Sequence, residues 1–327
     1  MFSKANPAVE GETPEQLIAT VPQELAGLRF DQALAQLFPD YSRTRLAQWA
    51  RDGRITVGTR KLLPKHRLQG GEQVQVNPAA MGSSCWTPEP LPLTVLHEDD
   101  DLLIINKPQG LVVHPGAGNF HGTLVNALLY HFRELAQVPR AGIIHRLDKE
   151  TTGLLVIARN LRAHKRLVDQ LKRRSIARDY IGLVIGTLTG GGLVSAPIGR
   201  HPVQRTRMAV IPSGRSATTR YRILERFQTC TLVRLSLDTG RTHQIRVHMA
   251  HLGHPLLGDP LYGKRPRTRN SGDAKTAEAV LRFDRQALHA AHLELEHPVR
   301  RCRLEFDAPL PRDMFDLLEL LRADREP

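Results

Sequence analysis

Apolar residues along this chain fall in short groups whose spacing switches between helical and alternating. Ala33, Leu34, Leu37 and Phe38 share one stripe at helical spacing, which predicts a helix over residues 29–38. Ser42 stands where an N-cap belongs and Gly53 where a helix ends, so residues 43–52 read as a second helix. Ile55 and Val57 then alternate with polar neighbours, and residues 71–76 read as a turn into another strand. Two small helices and a few strands thus make a module over residues 21–80. Residues 1–20 are polar, carry Pro7 and Pro14, and are expected to be a mobile tail.

Four prolines between Pro78 and Pro92, without periodicity, predict a linker over residues 81–92 and a second domain over 93–320. The apolar runs of that domain are short: 102–105, 154–158, 181–185 and 232–237. Gly and Pro turns and a few helices separate them, without the regular strand–helix alternation of a doubly wound sheet. The expected class is therefore α+β, with a mainly antiparallel sheet. Residues 161–174 give the clearest helix, with Leu161, His164, Leu167, Val168 and Leu171 on one side and Arg162, Lys165, Arg166, Lys172 and Arg173 on the other. Residues 264–275, with Arg265, Arg267 and Arg269, read as a basic loop.

Composition narrows the class further. With 327 residues, 41% hydrophobic and 24% charged, the chain is globular and large enough for two domains. Lys and Arg number 46 against 33 Asp and Glu, a net +13 that points to a polyanion, with nucleic acid favoured. No apolar run approaches the roughly 18 residues of a membrane span, and the opening residues lack a signal-peptide core, so a cytoplasmic protein without a membrane partner is expected. Cys85, Cys230 and Cys302 are odd in number and far apart, which writes neither a disulfide framework nor a zinc site. Arg43, Arg45, Arg51 and Arg54 cluster around the second helix, as either a phosphate-binding face or a solvated one.

Two segments could carry chemistry. Residues 142–153 hold His145, Arg146, Asp148, Lys149 and Glu150 directly before the apolar run 154–158. That is either a loop presenting reactive groups or a surface turn in which Asp148 makes a local hydrogen bond. In residues 239–254, Ile245, Met249 and Leu252 mark a short helix capped by Thr242, with Arg241 at its electropositive mouth. His243, His248, His251 and His254 have no acidic companion and no zinc-hydrolase spacing, so helix packing or RNA contact is expected of them rather than a metal. Residues 98–101 are acidic and read as a polar turn before a strand. Dinucleotide, phosphate-loop and esterase motifs are missing, which removes the usual handles for nucleotide hydrolysis and ester cleavage.

His145-Arg146-Leu147-Asp148-Lys149-Glu150-Thr151-Thr152-Gly153 resembles the signature of the A-type ribosomal RNA pseudouridine synthases, and residues 240–248 resemble their third motif. Residues 106–115, 178–180 and 258–263 are similar to further motifs of that family, and residues 21–80 resemble an S4 RNA-binding domain. The resemblance runs from about residue 22 to 315. Arg178 stands where many members have Lys, and Val57-Gly58-Thr59-Arg60 replaces the usual Val-Asn-Gly turn of S4 domains. Residues 70–74, 201–210 and 283–290 look closest to the branch that modifies the large-subunit stem-loop bridging the two ribosomal subunits.

The resemblance implies a catalytic domain that isomerises uridine through Asp148, with Arg241 pairing the carboxylate and Tyr180 stacking on the uracil and assisting proton removal. It implies RNA contacts from Arg43, Arg45, Arg51, Lys107, Arg146, Arg178 and Arg246, with Arg146 filling the space that an extruded base vacates. The isomerisation involves no redox step, phosphoryl transfer or net hydrolysis, so no cofactor or metal is expected. The expected partner is large-subunit ribosomal RNA or its assembling particle, met by a monomer. A glycoside hydrolase would need two opposed carboxylates, and Glu150 lies too near Asp148 in sequence to serve. The competing readings are a non-catalytic RNA-binding or ribosome-assembly factor, and a family member acting on other rRNA or tRNA uridines.

Overall fold

In the computed structural model, residues 16–39, 41, 43–78, 86–116, 119–204, 206–263 and 273–324 are described, with Thr44 and Arg45 as backbone only. Ser42, Cys85, the Arg45 side chain, residues 1–15 and most of the expected basic loop lie outside them. The described residues fall into two compact units, one of 16–78 with 136–138 and one of 86–135 with 139–324.

The first unit comprises β1 (Leu17–Thr20), α1 (Phe30–Leu37), α2 (Arg43–Arg51), β2 (Ile55–Val57), β3 (Arg60–Lys61) and β4 (Gln73–Val76). Its antiparallel sheet runs β1-β4-β2-β3. Phe30, Leu34, Leu46, Trp49, Ile55, Val74 and Val76 form the core. Part of the expected tail is therefore structural: Leu17 pairs with Val76 and Thr20 with Gln73, and Leu17 and Ala19 pack on the core. Four residues are too short a run for alternation to show in the sequence. Asp31 fastens α1 to α2 by accepting from Arg43 Nε and Nη2 at 2.9 and 2.6 Å and from Arg29 Nε at 3.1 Å. Burial opposes ionisation of this carboxyl, but the two guanidiniums hold it below its usual range.

The second unit carries β5 (Val95–Glu98), β6 (Leu102–Lys107), α3 (Leu124–His131), β7 (Thr152–Ala158), α4 (Leu161–Arg173), β8 (Ala177–Ile185), β9 (Gly192–Ser195), β10 (Ile198–Arg200), β11 (Met208–Val210), β12 (Thr218–Arg226), β13 (Cys230–Leu237), α5 (Gln244–His251), α6 (Ala274–Arg282), β14 (Leu288–Glu296), β15 (Arg303–Asp307) and α7 (Arg312–Ala323). The main sheet runs β5-β6-β7-β14-β8-β13-β12-β9, with β15 added to β14, and β10 and β11 form a separate hairpin. Only β7 and β14 are parallel, so the sheet is mainly antiparallel, as the sequence predicts. Ala163 and Leu167 of α4 pack on Leu102, Ile104, Leu154 and Val156. Val280 of α6 and Leu317, Leu318 and Leu321 of α7 pack on Leu183 and Leu232.

Residues 86–92 are not a free linker. Glu89 donates its N–H to the Asn126 carbonyl, Asn126 Nδ2 donates to Thr87, and His131 donates to Leu91, which fixes the proline-rich strip on α3. Lys275, expected in a loop, belongs to α6. The acidic turn is as expected, with Asp99 Oδ1 accepting from the N–H groups of Asp101 and Leu102.

Two backbone features aim the loop 143–151. Arg140, Ala141 and Gly142 are all left-handed (φ 55°, 50° and 77°), a turn that feeds the chain into the loop. At its far end Gly153 has φ 109°, and a Cβ there would overlap the Ala290 carbonyl across the β7–β14 pairing. Gly153→Ala is expected to lower the unfolding free energy by about 2–4 kcal/mol in a denaturant titration, because no rotamer relieves a clash with backbone.

Candidate active site

A cavity of about 860 Å³ opens in the second unit. Its walls come from the loop before β7, the start of β8, the β13–α5 connection, the end of α4 and the His114–Pro115 segment. Arg140, Arg146, Lys172, Arg174, Arg178, Arg241 and Arg246 line it, against the two acids Asp148 and Asp238, so the field inside favours an anionic ligand.

Arg246 bridges two carboxylates at the base. Its Nη1 donates to Asp148 Oδ2 at 3.0 Å, while Nε and Nη2 donate to Asp259 Oδ2 and Oδ1 at 2.7 and 2.8 Å. Asp259 also accepts from the N–H groups of Leu261 and Tyr262. Side-chain exposure rises from 0% at Asp259 through 5% at Arg246 to 15% at Asp148, so the pair is anchored inside and presents Asp148 outward. Burial opposes the charge on Asp259, but the Arg246 hydrogen bonds hold its carboxyl below the usual range.

This arrangement exchanges two expected roles. Arg241, expected to pair Asp148, is exposed on the cavity rim, where its Nε donates to the Ser216 carbonyl at 3.2 Å. Arg246, expected at RNA, is buried and holds the Asp148 carboxylate. Position explains the exchange: Arg246 lies in the first turn of α5, whose residues 244–249 are all buried, whereas Arg241 precedes the helix. Both arginines sit in one motif, so the sequence did not separate them.

Lys107 is a second correction. Its Nζ donates to the carbonyls of Pro108, Leu111 and Lys149 at 2.7–2.9 Å, and the residue is 1% exposed, so no proton is left for a phosphate. It ties the 108–111 turn to the residue after Asp148. Burial pulls its pKa down to about 7, against the attraction of Glu150 and Asp148. Tyr180 on β8 is 5% exposed and lines the cavity, and burial pushes its phenol pKa up. Arg146 is exposed on the wall and Arg178 is mostly buried within it. In the first unit Arg43 is occupied by Asp31, and the exposed Arg51 donates to Gln48.

Several site residues had no assigned role in the sequence reading. Among the described residues, three buried side-chain atoms lack hydrogen-bond partners: His114 Nε2, His145 Nδ1 and Arg178 Nε. All three residues line this cavity, as expected where a ligand completes the hydrogen bonding. His145 Nε2 accepts from Val156 N–H, which leaves its proton on the unpartnered Nδ1. Burial, with Arg178 nearby, pulls His145 to about 3, and burial with Arg140 and Arg146 pulls His114 to about 4, so both rings are neutral at pH 7.

The histidine-rich segment disperses. His243 is the N-cap of α5 in place of the expected Thr242, with φ 55°, and its Nε2 lies 3.9 Å from Asp148 Oδ1. His248 bonds Thr219 and the Ala196 carbonyl, and His254 bonds the Ile185 carbonyl. Metal-ligand atoms do approach one another at Asp99, Asp101 and His297 and at His292, Glu305 and Asp307, but neither group lines the cavity.

Residues 101–251 match the family described as RNA pseudouridylate synthase, and residues 28–74 match the S4 domain. A Yersinia pestis protein named ribosomal large subunit pseudouridine synthase D is 53% identical over 95% of this chain and 96% of its own length. Proteins of the same name from Escherichia coli (strain K12) and Pseudomonas aeruginosa are 52% and 51% identical, again over 95% of this chain and over 96% and 97% of theirs. The solved structure of human RNA pseudouridylate synthase domain containing 4 superposes with TM-score 0.55 at 27% identity, covering 70% of this chain and 93% of that one.

Asp259→Asn is expected to lower stability at pH 7 by about 3–5 kcal/mol, since it leaves Arg246 buried with half its partners. The folded carboxyl titrates below its ordinary 3.8, so its contribution is complete above that pH and fades as acid protonates it. Urea titrations should therefore show the gap between variant and wild type narrowing from about pH 5 to pH 3.

Proposed function

The chain belongs to the RNA pseudouridylate synthase family, and we propose that it converts uridine to pseudouridine in large-subunit ribosomal RNA with Asp148 as nucleophile. The observation that carries this reading is a carboxylate held on a buried guanidinium at the base of a cavity lined by seven cations. Large-subunit RNA as the substrate is supported by the names of relatives alike over nearly their whole length; within it the proposed target is the stem-loop that bridges the two ribosomal subunits, on the resemblance carried by residues 70–74, 201–210 and 283–290.

Isomerisation breaks the bond from ribose C1′ to N1, rotates the uracil and joins C1′ to C5. The proton lost from C5 is matched by one gained at N1, so no atom is gained or lost. A carboxylate that attacks the sugar or the ring must be oriented toward it, and Arg246 Nη1 fixes one of the Asp148 oxygens. Tyr180 stacks on the uracil; its phenol, kept protonated by burial, is a poor proton acceptor at neutral pH. The target base must leave its stack to enter, at a cost of a few kcal/mol, which phosphate contacts from Arg146, Arg178 and Arg241 offset. The chemistry balances without a cofactor, and the proposed form is a monomer acting in the cytoplasm. No helix among the described residues is long and apolar enough to cross a membrane.

A purely RNA-binding factor accounts less well for the site, because a buried arginine there is spent on holding a carboxylate whose charge opposes a polyanion. Asp148→Asn should abolish pseudouridine formation, read by carbodiimide-dependent primer stops, while RNA affinity stays within a few-fold. Persisting stops would remove Asp148 from its role. Arg51→Ala, in the S4 unit, should reduce the slope of log affinity against log salt by about 1 and leave turnover at saturating RNA unchanged.

A further inference from the structure

Of the four histidines between 243 and 254, His243 is the one that stands beside the nucleophile. Its Nε2 lies 3.9 Å from Asp148 Oδ1, the carboxylate oxygen that Arg246 leaves unheld. Its Nδ1 meets the Tyr262 hydroxyl at 2.8 Å, and that hydroxyl accepts the N–H of Met208, on β11, also at 2.8 Å. The hydroxyl keeps its own proton for Nδ1, and in that arrangement the ring proton sits on Nε2, the atom that faces Asp148. The rings of His243 and Tyr262 meet edge-on, 5.7 Å apart at 76°, which fixes the imidazole plane. The left-handed backbone at His243 aims the ring into the cavity at a conformational cost, and such costs gather where a side chain has work to do.

We propose that His243 is a positioning residue for the isomerisation: its Nε2–H closes on Asp148 Oδ1 when uridine is bound, so that Arg246 and His243 together fix both carboxylate oxygens. Tyr262 sets the tautomer that makes this possible. The inference rests on Asp148 being the nucleophile. A gap of 3.9 Å in the unliganded site is ordinary for a contact that tightens around substrate. Asp148 and Asp259 on one side and Arg246 and Arg146 on the other act on the ring, and burial leads the balance that keeps it neutral.

The test measures kcat, KM and RNA affinity on a large-subunit rRNA fragment for Asp148→Asn, His243→Phe, His243→Gln and Tyr262→Phe. His243→Phe should lower kcat by about 10- to 100-fold with KM and affinity within threefold, and His243→Gln, which restores an N–H donor, should recover part of the loss. Tyr262→Phe leaves Nδ1 open to protonation, so its kcat should fall on the acid side at a pH where wild type stays level. An imidazolium beside Asp148 pairs the carboxylate too strongly for attack. If His243→Phe keeps kcat within twofold, or loses affinity alone, while Asp148→Asn is inactive, the positioning role is overturned and the nucleophile stands. Should Asp148→Asn stay active, both fall. If His243→Phe does not fold, the Tyr262→Phe profile decides, and a level profile overturns the proposal.

Discussion

The catalytic half of the molecule is organised by one buried cation shared between two carboxylates. Arg246 is too deep to exist unpaired, and Asp259, with no exposed surface, supplies the compensating charge in bidentate geometry. What remains of the guanidinium points at Asp148. The carboxylate is thereby held and aimed by a group whose own position is set by α5, by the Leu261 and Tyr262 N–H groups that fix Asp259, and by the Tyr262 ring, 5.1 Å from the guanidinium. A charge placed this way needs little reorganisation when a substrate arrives.

The loop carrying Asp148 is held from other directions as well. Lys107 gathers the Lys149 carbonyl and two carbonyls of its own turn onto one ammonium, so this lysine of the 106–115 segment is spent on shaping backbone. The left-handed run at 140–142 and the close pass of Gly153 by β14 fix where the loop starts and ends. Of the wall cations, by contrast, Arg140, Arg146, Lys172, Arg174 and Arg241 are exposed, which leaves their charge open to a polyanion.

Much of this was legible in the residues. The helices at 30–37, 43–51 and 161–173 and the strands at 55–57, 102–107, 152–158 and 230–237 follow from apolar spacing, because each buries one face or one continuous run. The motif containing Asp148 was visible as charge set directly before a buried strand. Choosing between Arg241 and Arg246 was not possible, since that depends on where α5 begins, and the left-handed His243 moves the cap one residue beyond Thr242. Asp259 sat in a recognised turn, but nothing local announces that its partner lies thirteen residues earlier. The strand at 17–20 and the docking of residues 86–92 on α3 are tertiary effects that short or proline-rich stretches do not encode by periodicity.

The clamp draws on residues 148, 246 and 259, whereas the sheet of the first unit is closed by residue 76. In chain order the S4 unit is therefore complete while the carboxylate at residue 148 still lacks both the guanidinium that holds it and the second carboxylate that anchors that guanidinium.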